Sequence, residues 1–380
     1  MAIEQGLGAG GIPDEPMVED NTRMMELPDL LPEVPGVTEL DDGSVIVGEY
    51  EEEGEPVEEI EFEGNLADVM DEGDLNNISS NLVGSIDDDL SARSDWEDTY
   101  KKGLEFLGMK TEERSEPFEG SSGVIHPLLA ESVTQFQAQA YREMLPSSGP
   151  VRSQVVGAQN EILVKQAERV KDYMNYMITY EMEEYDPEMD QMLFYLPVIG
   201  STFKKVYFDP LKGRAVSKFI HAEDIIVPYG ASDFASSPRI THRLSMDSNE
   251  IRKLQLAGFY RDIDLPSDSE GSDSSMDEVE ESIDDIQGIH PSGPSEELTL
   301  YEVHTSLDID GFEDLGADGE PTGLKLPYIV TVIADSGDVL SVRRNYDPMD
   351  PMKRAKQYFV HYKFLPGLGF YGLGLTHMIG

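Results

Sequence analysis

One stretch of the sequence matches a pattern that binds nucleotides in other proteins. Gly367, Gly369 and Gly372 form a G-x-G-x-x-G run directly after a segment predicted to be a strand, QYFVHYKF. In a dinucleotide-binding turn such glycines let the backbone approach a pyrophosphate. Here the preceding strands are predicted to be antiparallel, Pro366 interrupts the approach, and no acidic ribose partner follows. We therefore interpret the run as a bend between a strand and a helix, and expect Gly369 to be needed for its backbone conformation.

Other residues that could do chemistry do not complete a site. A calcium loop counted from Asp308 fails because Phe312 and Glu313 occupy its fifth and sixth positions. His221 with Glu223 and Asp224 could form an acid–base cluster, but we favour ordinary hydrogen bonding in a polar turn. The histidines show no zinc spacing, and neither a P-loop nor a nucleophile elbow is present. The sequence thus predicts no catalytic, cofactor-binding or metal-binding residue, and a protein that is not an enzyme.

The composition excludes several classes of protein. None of the 380 residues is cysteine, which excludes disulfides, thiolate catalysis and cysteine-ligated metal centres. The N-terminus lacks the basic and apolar regions of a signal peptide, and no apolar run reaches the roughly 20 residues of a membrane span. A formal net charge of -48 argues against tight, sequence-independent binding of nucleic acid. The sequence predicts a soluble intracellular protein.

The acidity is concentrated in two segments. Residues 1–90 contain 27 acidic residues and one basic residue, and residues 262–297 contain 13 acidic residues and no lysine or arginine. Like charges at this density repel each other and cannot be offset by burial in a core. We therefore predict a largely disordered acidic N-terminal extension over residues 1–83 and an acidic, serine-rich linker over residues 262–298.

Basic residues form two groups in the remaining sequence. Solvated strand faces explain them about as well as contacts with acidic neighbouring subunits or with a nucleic-acid backbone. The groups are Lys204, Lys205, Lys212, Arg214 and Lys218, and Arg343, Arg344, Lys353, Arg354 and Lys356.

Hydrophobic periodicity predicts helices first and strands afterwards. A helix should start near residue 84 with a capping box of Ser85 and Asp88, and helices should follow at 127–145 and about 156–185. Asp186-Pro187 should break the last of these before a short apolar helix that ends at Gly200. Period-two segments then predict mostly antiparallel strands, among them TFKKVYFD, GRAVSKFI, RITHRLSM, LTLYEVHTSLDI, LPYIVTVIA, DVLSVRRNY and QYFVHYKF. The expected fold class is α+β, with long helices packed on antiparallel sheets.

Four segments in this order resemble the portal proteins of short-tailed, double-stranded DNA bacteriophages, the podovirus-type head-to-tail connectors. They are HPLLAESVTQFQAQAYREMLPSSGPV, FKKVYFDPLKGRAVSKFIHAEDIIVPYGASD, RITHRLSMDSNEIRKLQLAGFYRD and KQYFVHYKFLPGLGFYGLGLTHMIG. The resemblance covers roughly residues 85–380 and carries no catalytic signature. Members of that family usually continue well beyond the point that matches Gly380, so the resemblance implies a chain truncated or split at its C-terminus.

The resemblance implies a subunit of a dodecameric ring at one vertex of the capsid, assembled in the host cytoplasm and retained in the virion. Double-stranded DNA would pass through the ring during packaging and ejection without sequence-specific contacts. The implied partners are other copies of the chain, the terminase large subunit, the major capsid and scaffolding proteins and the tail adaptors, with no membrane and no cofactor. The implied division is a wing-like portal body over 84–261 and, after the linker, a β-rich region over 299–380 that leads into a channel-side helix.

The residues leave two alternatives open. One is a nucleotide-dependent oxidoreductase that uses the glycine run 367–372, and the other is an acidic scaffold or adaptor that binds a basic partner through its N-terminal extension. The methionine- and tyrosine-rich stripes of the long helices serve inter-subunit packing under the portal hypothesis. Met174, Met177, Met182, Met189 and Met192 could equally be ordinary core residues, which the sequence alone favours for most of them.

Overall fold

The chain divides into two units, residues 1–58 and residues 59–380. In the first unit, β1 (Val37–Glu39) pairs antiparallel with β2 (Val45–Val47). The rest of the extension up to residue 60 and most of the acidic linker lie outside the described residues, so the disorder predicted there stays a prediction. The computed structural model describes those two strands and residues 61–107, 118, 127–158, 160–209, 212–266, 297–316, 318–367 and 369–379.

Helices form the first part of the second unit, and a short helix closes it. A single 3-10 turn at Leu66–Asp68 precedes the first helix. A turn of π-helix at Met177–Glu181 directly follows the helix that ends at Tyr176. The seven helices of the described residues are α1 (Glu72–Ala92), α2 (Ser94–Phe106), α3 (Leu128–Met144), α4 (Glu161–Tyr176), α5 (Tyr185–Ile199), α6 (Ser248–Leu256) and α7 (Thr376–Ile379).

Two antiparallel sheets form the rest of the second unit. Their strands are β3 (Ser201–Asp209), β4 (Arg214–Ile220), β5 (Ile225–Ile226), β6 (Arg239–Asp247), β7 (Glu297–Leu307), β8 (Leu326–Ile333), β9 (Val339–Arg344) and β10 (Phe359–Lys363). The three-stranded sheet has the order β10-β3-β4, and the five-stranded sheet has the order β5-β6-β7-β8-β9. The mixed α+β fold class and the antiparallel strand pairing predicted from the sequence are confirmed.

Apolar side chains lie on both faces of the five-stranded sheet. On one face, Leu82 and Ile86 of α1 pack with Val303 and Val330. On the other, Ile251 of α6 packs with Leu300. The three-stranded sheet is covered by α3 and α5, where Met189, Met192 and Leu193 are buried against Phe136, Phe219 and Tyr362.

The helix predicted to start near residue 84 begins at Glu72 instead. Asp71 caps it by accepting a hydrogen bond from the Gly73 amide at 3.1 Å. Ser85 is not a cap, because its Oγ donates to the Asn81 carbonyl within the helix. Residues 61–83, which the sequence places in the acidic extension, form part of the second unit and bury Leu66, Leu75 and Leu82. Apolar spacing outweighs acidic composition here, since the acidic side chains lie on the solvent side.

Arg93 divides this region into two helices where one was predicted. Its backbone leaves helical geometry, at φ -106° and ψ 4°, while its side chain is buried. A buried guanidinium must satisfy its five N–H groups, and here Arg93 donates to the Ile225 and Glu223 carbonyls, which lie in a distant part of the chain.

The predicted long helix 156–185 is also shorter than expected. It starts at α4, continues through the π-turn and ends before Met182. Asp186 and Pro187 do not break a helix but lie in the first turn of α5, where a proline removes no helical hydrogen bond. The end of α5 at Gly200 is as predicted, with the glycine in the left-handed conformation at φ 93°.

Candidate interaction surface

Helix α4 is well formed by local interactions but weakly attached to the fold. Asn160 caps it by accepting from the Leu163 amide at 2.7 Å, and Lys165 pairs with Glu161 one turn earlier. The adjoining segment is held through Asn175, whose side chain accepts from the Val151 amide at 2.9 Å and donates to its carbonyl at 3.2 Å. These polar contacts fix the position of the helix without burying an apolar face.

Most of the apolar side chains of α4 lie on one side of the helix and are exposed. No residue of α4 is buried, and 74% of Ile162 and 60% of Tyr173 are accessible to solvent. Residues at such helical spacings normally face a core. We define the α4 face as Ile162, Leu163, Val170, Tyr173 and Met174, all of which are exposed.

The turns after α4 extend this apolar surface and then anchor the chain. In the π-turn, the Met182 amide donates to the Met177 carbonyl at 2.8 Å. The rings of Tyr176 and Tyr180 stack with their centroids 5.8 Å apart, and both side chains are exposed. Met182 itself is buried.

The methionines that the sequence left open are therefore divided between two roles. Met182, Met189 and Met192 are buried core residues, as favoured for most of them. Met174 is exposed on the α4 face, and Met177 is half-buried.

The charges of α4 balance, unlike those of the chain as a whole. The helix carries three acidic and three basic residues, whereas the full chain has a formal net charge of -48. Two acidic copies of a protein meet most easily where neither brings excess negative charge. The α4 face and its polar flanks satisfy this condition.

The glycine run lies between β10 and α7, as predicted. The amide of Gly372 donates to Ser201 Oγ at 2.7 Å, so an internal group already occupies it. A Cβ at Gly372 would lie 2.3 Å from the Gly200 carbonyl oxygen, and a Cβ at Gly367 would lie 2.3 Å from the Tyr371 carbonyl oxygen. Gly369, which we expected to be constrained, has no positive φ and open space around it, so that expectation is wrong.

His221, Glu223 and Asp224 lie together in the turn between β4 and β5. His221 Nδ1 is 4.0 Å from Glu223 Oε1, and Arg243 Nε donates to Asp224 Oδ1 at 3.2 Å. Burial, followed by the charge of Glu223, raises the pKa of Asp224 to about 6 against the opposing effects of Arg243 and His221. The sequence predicted ordinary hydrogen bonding in a polar turn. The structure shows in addition that the two adjacent carboxyl groups of this turn are largely shielded from solvent.

A half-buried ion pair joins the two sheets. Lys205 Nζ of β3 lies 2.6 Å from Oε1 and 2.7 Å from Oε2 of Glu302 on β7, and His304 Nε2 lies 2.8 Å from Oε1. Burial alone would raise the pKa of Glu302, but the charge of Lys205 and the hydrogen bond from His304 hold it well below its usual value. Burial lowers the pKa values of His242 and His361 to about 3, so both are neutral. The ion pair of Lys205 with Glu302 fastens the two sheets to each other.

No cluster of three or more histidine, aspartate or glutamate side chains in the described part of the chain could hold a metal ion. In the loop after β7, Asp314 pairs with Lys353 and accepts from the Thr322 hydroxyl at 2.7 Å. This acidic loop is therefore held by internal contacts.

Most of the basic residues named from the sequence have internal contacts, while Lys212, Lys218 and Lys356 are exposed. Lys204 is buried with its Nζ 4.3 Å from the Tyr185 ring centroid, and burial lowers its pKa to about 8 against the charges of Glu188 and Glu184. The other members with internal partners are Lys205 with Glu302, Arg214 with Glu184, Arg343 with the Glu63 and Phe259 carbonyls, Arg344 with the Phe62 carbonyl, Lys353 with Asp314 and Arg354 with Asp350.

No known protein family matches the chain. No curated protein matches it either. Across the residues that the structure describes, every helix is too short or too polar to span a bilayer.

Sequence reasoning placed the α4 residues on one side of a helix but missed that none of the described residues buries them. It also missed the buried Arg93, which bonds the Glu223 and Ile225 carbonyls at 2.6 and 2.8 Å. An arginine inside an otherwise continuous helical pattern carries no signal of burial, because long basic side chains usually lie at the surface.

Proposed function

We propose that this protein is a phage portal subunit, which assembles into a dodecameric ring at the capsid vertex and forms the conduit for double-stranded DNA. In this role it docks the terminase and the tail adaptors and catalyses no reaction itself. The ordered resemblance of four segments to podovirus-type portals suggests the class. The observation that carries the proposal is the exposed α4 face.

An apolar helix face of this kind is costly to leave in water. Burying a large apolar side chain stabilises an assembly by about 1.5–3 kcal/mol, and Ile162, Val170 and Tyr173 are all available for it. The occupant we propose is a second copy of the chain. The balanced charge of α4 permits this contact although each copy is strongly acidic overall. Repeated around a closed ring, one such contact per subunit leaves no α4 face exposed.

The charge distribution supports a conduit rather than a tight DNA-binding protein. A channel through which DNA slides must not hold the phosphates, and excess carboxylates repel them. The basic side chains that could have opposed this repulsion mostly have internal partners, such as Lys205 with Glu302 and Arg214 with Glu184.

Oligomeric state tests the proposal. The purified chain is imaged in negative stain and its mass measured by light scattering, beside the variant Val170→Asp/Tyr173→Asp. The control Lys171→Gln makes the same change of net charge as one of the two substitutions. It removes only an exposed pair with Asp172 on the polar side of α4, a pair worth little to stability.

We expect rings with a central hole for the parent chain and for Lys171→Gln, and monomers with unchanged circular dichroism for the double variant. Rings that persist in the double variant would show that α4 is not the interface. A parent chain that stays monomeric and titrates with NAD would refute the portal proposal and favour the oxidoreductase.

A further inference from the structure

The turn between β4 and β5 connects more elements than its length suggests. Arg93, at the junction of α1 and α2, donates to the Glu223 and Ile225 carbonyls of this turn. Tyr371 donates its hydroxyl to the Ile225 carbonyl at 2.8 Å and accepts from Arg93 Nη1 at 3.0 Å. We refer to residues 364–379 as the C-terminal segment. Through Tyr371 this segment is fastened to the turn and to the α1–α2 junction at once.

The same turn carries two neighbouring carboxyl groups in a largely apolar setting. Only 5% of Glu223 is accessible to solvent, and its Oε2 accepts no well-aligned hydrogen bond in the described part of the chain, although the Tyr100 hydroxyl lies close enough to interact with its carboxyl. Asp224 follows it directly and is about three-quarters buried, with 26% of its side chain exposed. A buried carboxylate without a full set of partners is destabilising unless it is neutralised.

The groups that face these carboxyls cannot neutralise both. Arg243 of β6 bonds Asp224, both through Nε and through its backbone amide, which donates to the Asp224 carbonyl at 2.8 Å. His221 on the turn itself lies beside Glu223. Tyr100 of α2 and Tyr195 of α5 face the pair as neutral phenols, and burial followed by the charge of Glu223 raises the pKa of each hydroxyl.

The remaining nearby cation already has a carboxylate partner. Arg93 Nε bonds Glu97 Oε1 at 2.7 Å, and Arg93 also donates to the Ile225 carbonyl and to Tyr371. On the neighbouring stretch of β6, Arg239 pairs with Asp89 of α1. Arg243 bonds the Asp224 carboxylate of the turn directly.

We propose that the turn His221–Ile225 is a proton-operated latch for the C-terminal segment. With Asp224 protonated, its carboxyl adds no charge beside Glu223 and the turn stays packed against Arg93 and Tyr371. With Asp224 ionised, its charge adds to that of Glu223 in a turn that is largely shielded from solvent, and the turn moves toward water and loosens its hold on Tyr371. Since the pKa of Asp224 is raised to about 6, the change falls near neutral pH.

The chain contains a built-in reporter for this latch. Trp96 is the only tryptophan, and its ring stacks on that of Tyr371 with the centroids 4.2 Å apart. Loosening of Tyr371 exposes the indole to water, and its emission then shifts to longer wavelength. The measurement is Trp96 fluorescence of the full chain over about pH 5 to 8, with far-UV circular dichroism recorded in parallel to separate the latch from global unfolding.

Three variants identify the titrating group. Asp224→Asn removes the proposed one, His221→Gln removes the imidazole, and Asp335→Asn makes the same chemical change at an exposed turn between β8 and β9. We expect a red shift with a midpoint near pH 6 in the parent, in Asp335→Asn and in His221→Gln, and its loss in Asp224→Asn.

A red shift that persists in Asp224→Asn and disappears in His221→Gln would assign the titration to the imidazole and overturn the proposal. So would a parent emission that is constant across the range while circular dichroism shows a folded chain. If Asp224→Asn fails to fold, the parent and His221→Gln titrations decide the outcome alone.

Discussion

Adding one methyl group at Gly374 should destabilise the second unit strongly. A Cβ at this position would lie 2.2 Å from the Val198 carbonyl oxygen and 2.8 Å from the Gly200 amide nitrogen, and both are backbone atoms that cannot rotate away. Moving the C-terminal segment outward would break the bonds from the Leu375 amide to the Pro197 carbonyl at 2.7 Å and from Thr376 Oγ1 to the Val198 carbonyl at 2.9 Å.

The magnitude follows from these contacts. Two hydrogen bonds contribute about 1 kcal/mol each, and overpacking costs about 1–3 kcal/mol, so Gly374→Ala should lower the free energy of unfolding by about 3–5 kcal/mol. With a urea dependence of roughly 2–3 kcal/mol per molar, the midpoint should fall by about 1–2.5 M.

The assay is urea unfolding followed by far-UV circular dichroism, with Gly369→Ala as the matched control. Gly369 lies in the same glycine-rich region, but an added Cβ there meets nothing within 4 Å. The control should unfold within about 0.5 kcal/mol of the parent. Equal midpoints for Gly374→Ala and Gly369→Ala would show that the close backbone approach does not exist, and would refute this account of the segment.

Three further predictions concern buried groups. Since the pKa of Asp224 is raised to about 6 in the folded chain, its contribution to stability is complete below about pH 4 and is lost as pH rises to 6. Asp224→Asn should therefore exceed the parent by up to about 3 kcal/mol above pH 6, and parallel stability–pH curves would contradict this. Lys205→Met should cost about 3–5 kcal/mol by leaving Glu302 buried without its cation, and an unchanged melting temperature would contradict it. Phe136→Ala, which removes a half-buried ring 5.3 Å from that of Phe364, should cost about 3 kcal/mol in thermal unfolding, whereas no loss would mean that the ring is solvated.

Much of the fold could be predicted because local chemistry decides it. The segments TFKKVYFD, GRAVSKFI, LPYIVTVIA and DVLSVRRNY, all predicted to be strands, form β3, β4, β8 and β9. In each case, turn residues flank a segment with clear periodicity, and no distant contact is needed.

The predictions that were wrong depended on distant contacts. The start of α1 was placed too late because the acidic composition of residues 61–83 outweighed three apolar residues in the prediction. In the fold those three residues are buried, beside strands that follow more than 200 positions later in the sequence. The break at Arg93 was missed because its acceptors, the Glu223 and Ile225 carbonyls, come from another part of the chain.

The candidate sites divide in the same way. A helical stripe of apolar residues can be recognised from its spacing, but spacing does not reveal whether a core or solvent lies opposite. The amphipathic pattern of α4 was therefore predictable, and its exposure was not. The carboxyls of Glu223 and Asp224 are adjacent in sequence, yet their burial depends on α2, α5 and β6.

The sequence by itself determined the fold class, most strand positions, the uneven distribution of charge and the exclusion of cysteine chemistry. These properties depend on composition and on the periods of 2 and 3.6 residues that backbone geometry imposes. Only the tertiary structure decided that the basic residues are largely paired internally, that the glycine run packs against the end of α5, and that the α4 face stays exposed within the described part of the chain. Burial and electrostatic pairing are properties of residues brought together from distant positions, and a pattern along one chain does not contain those distances.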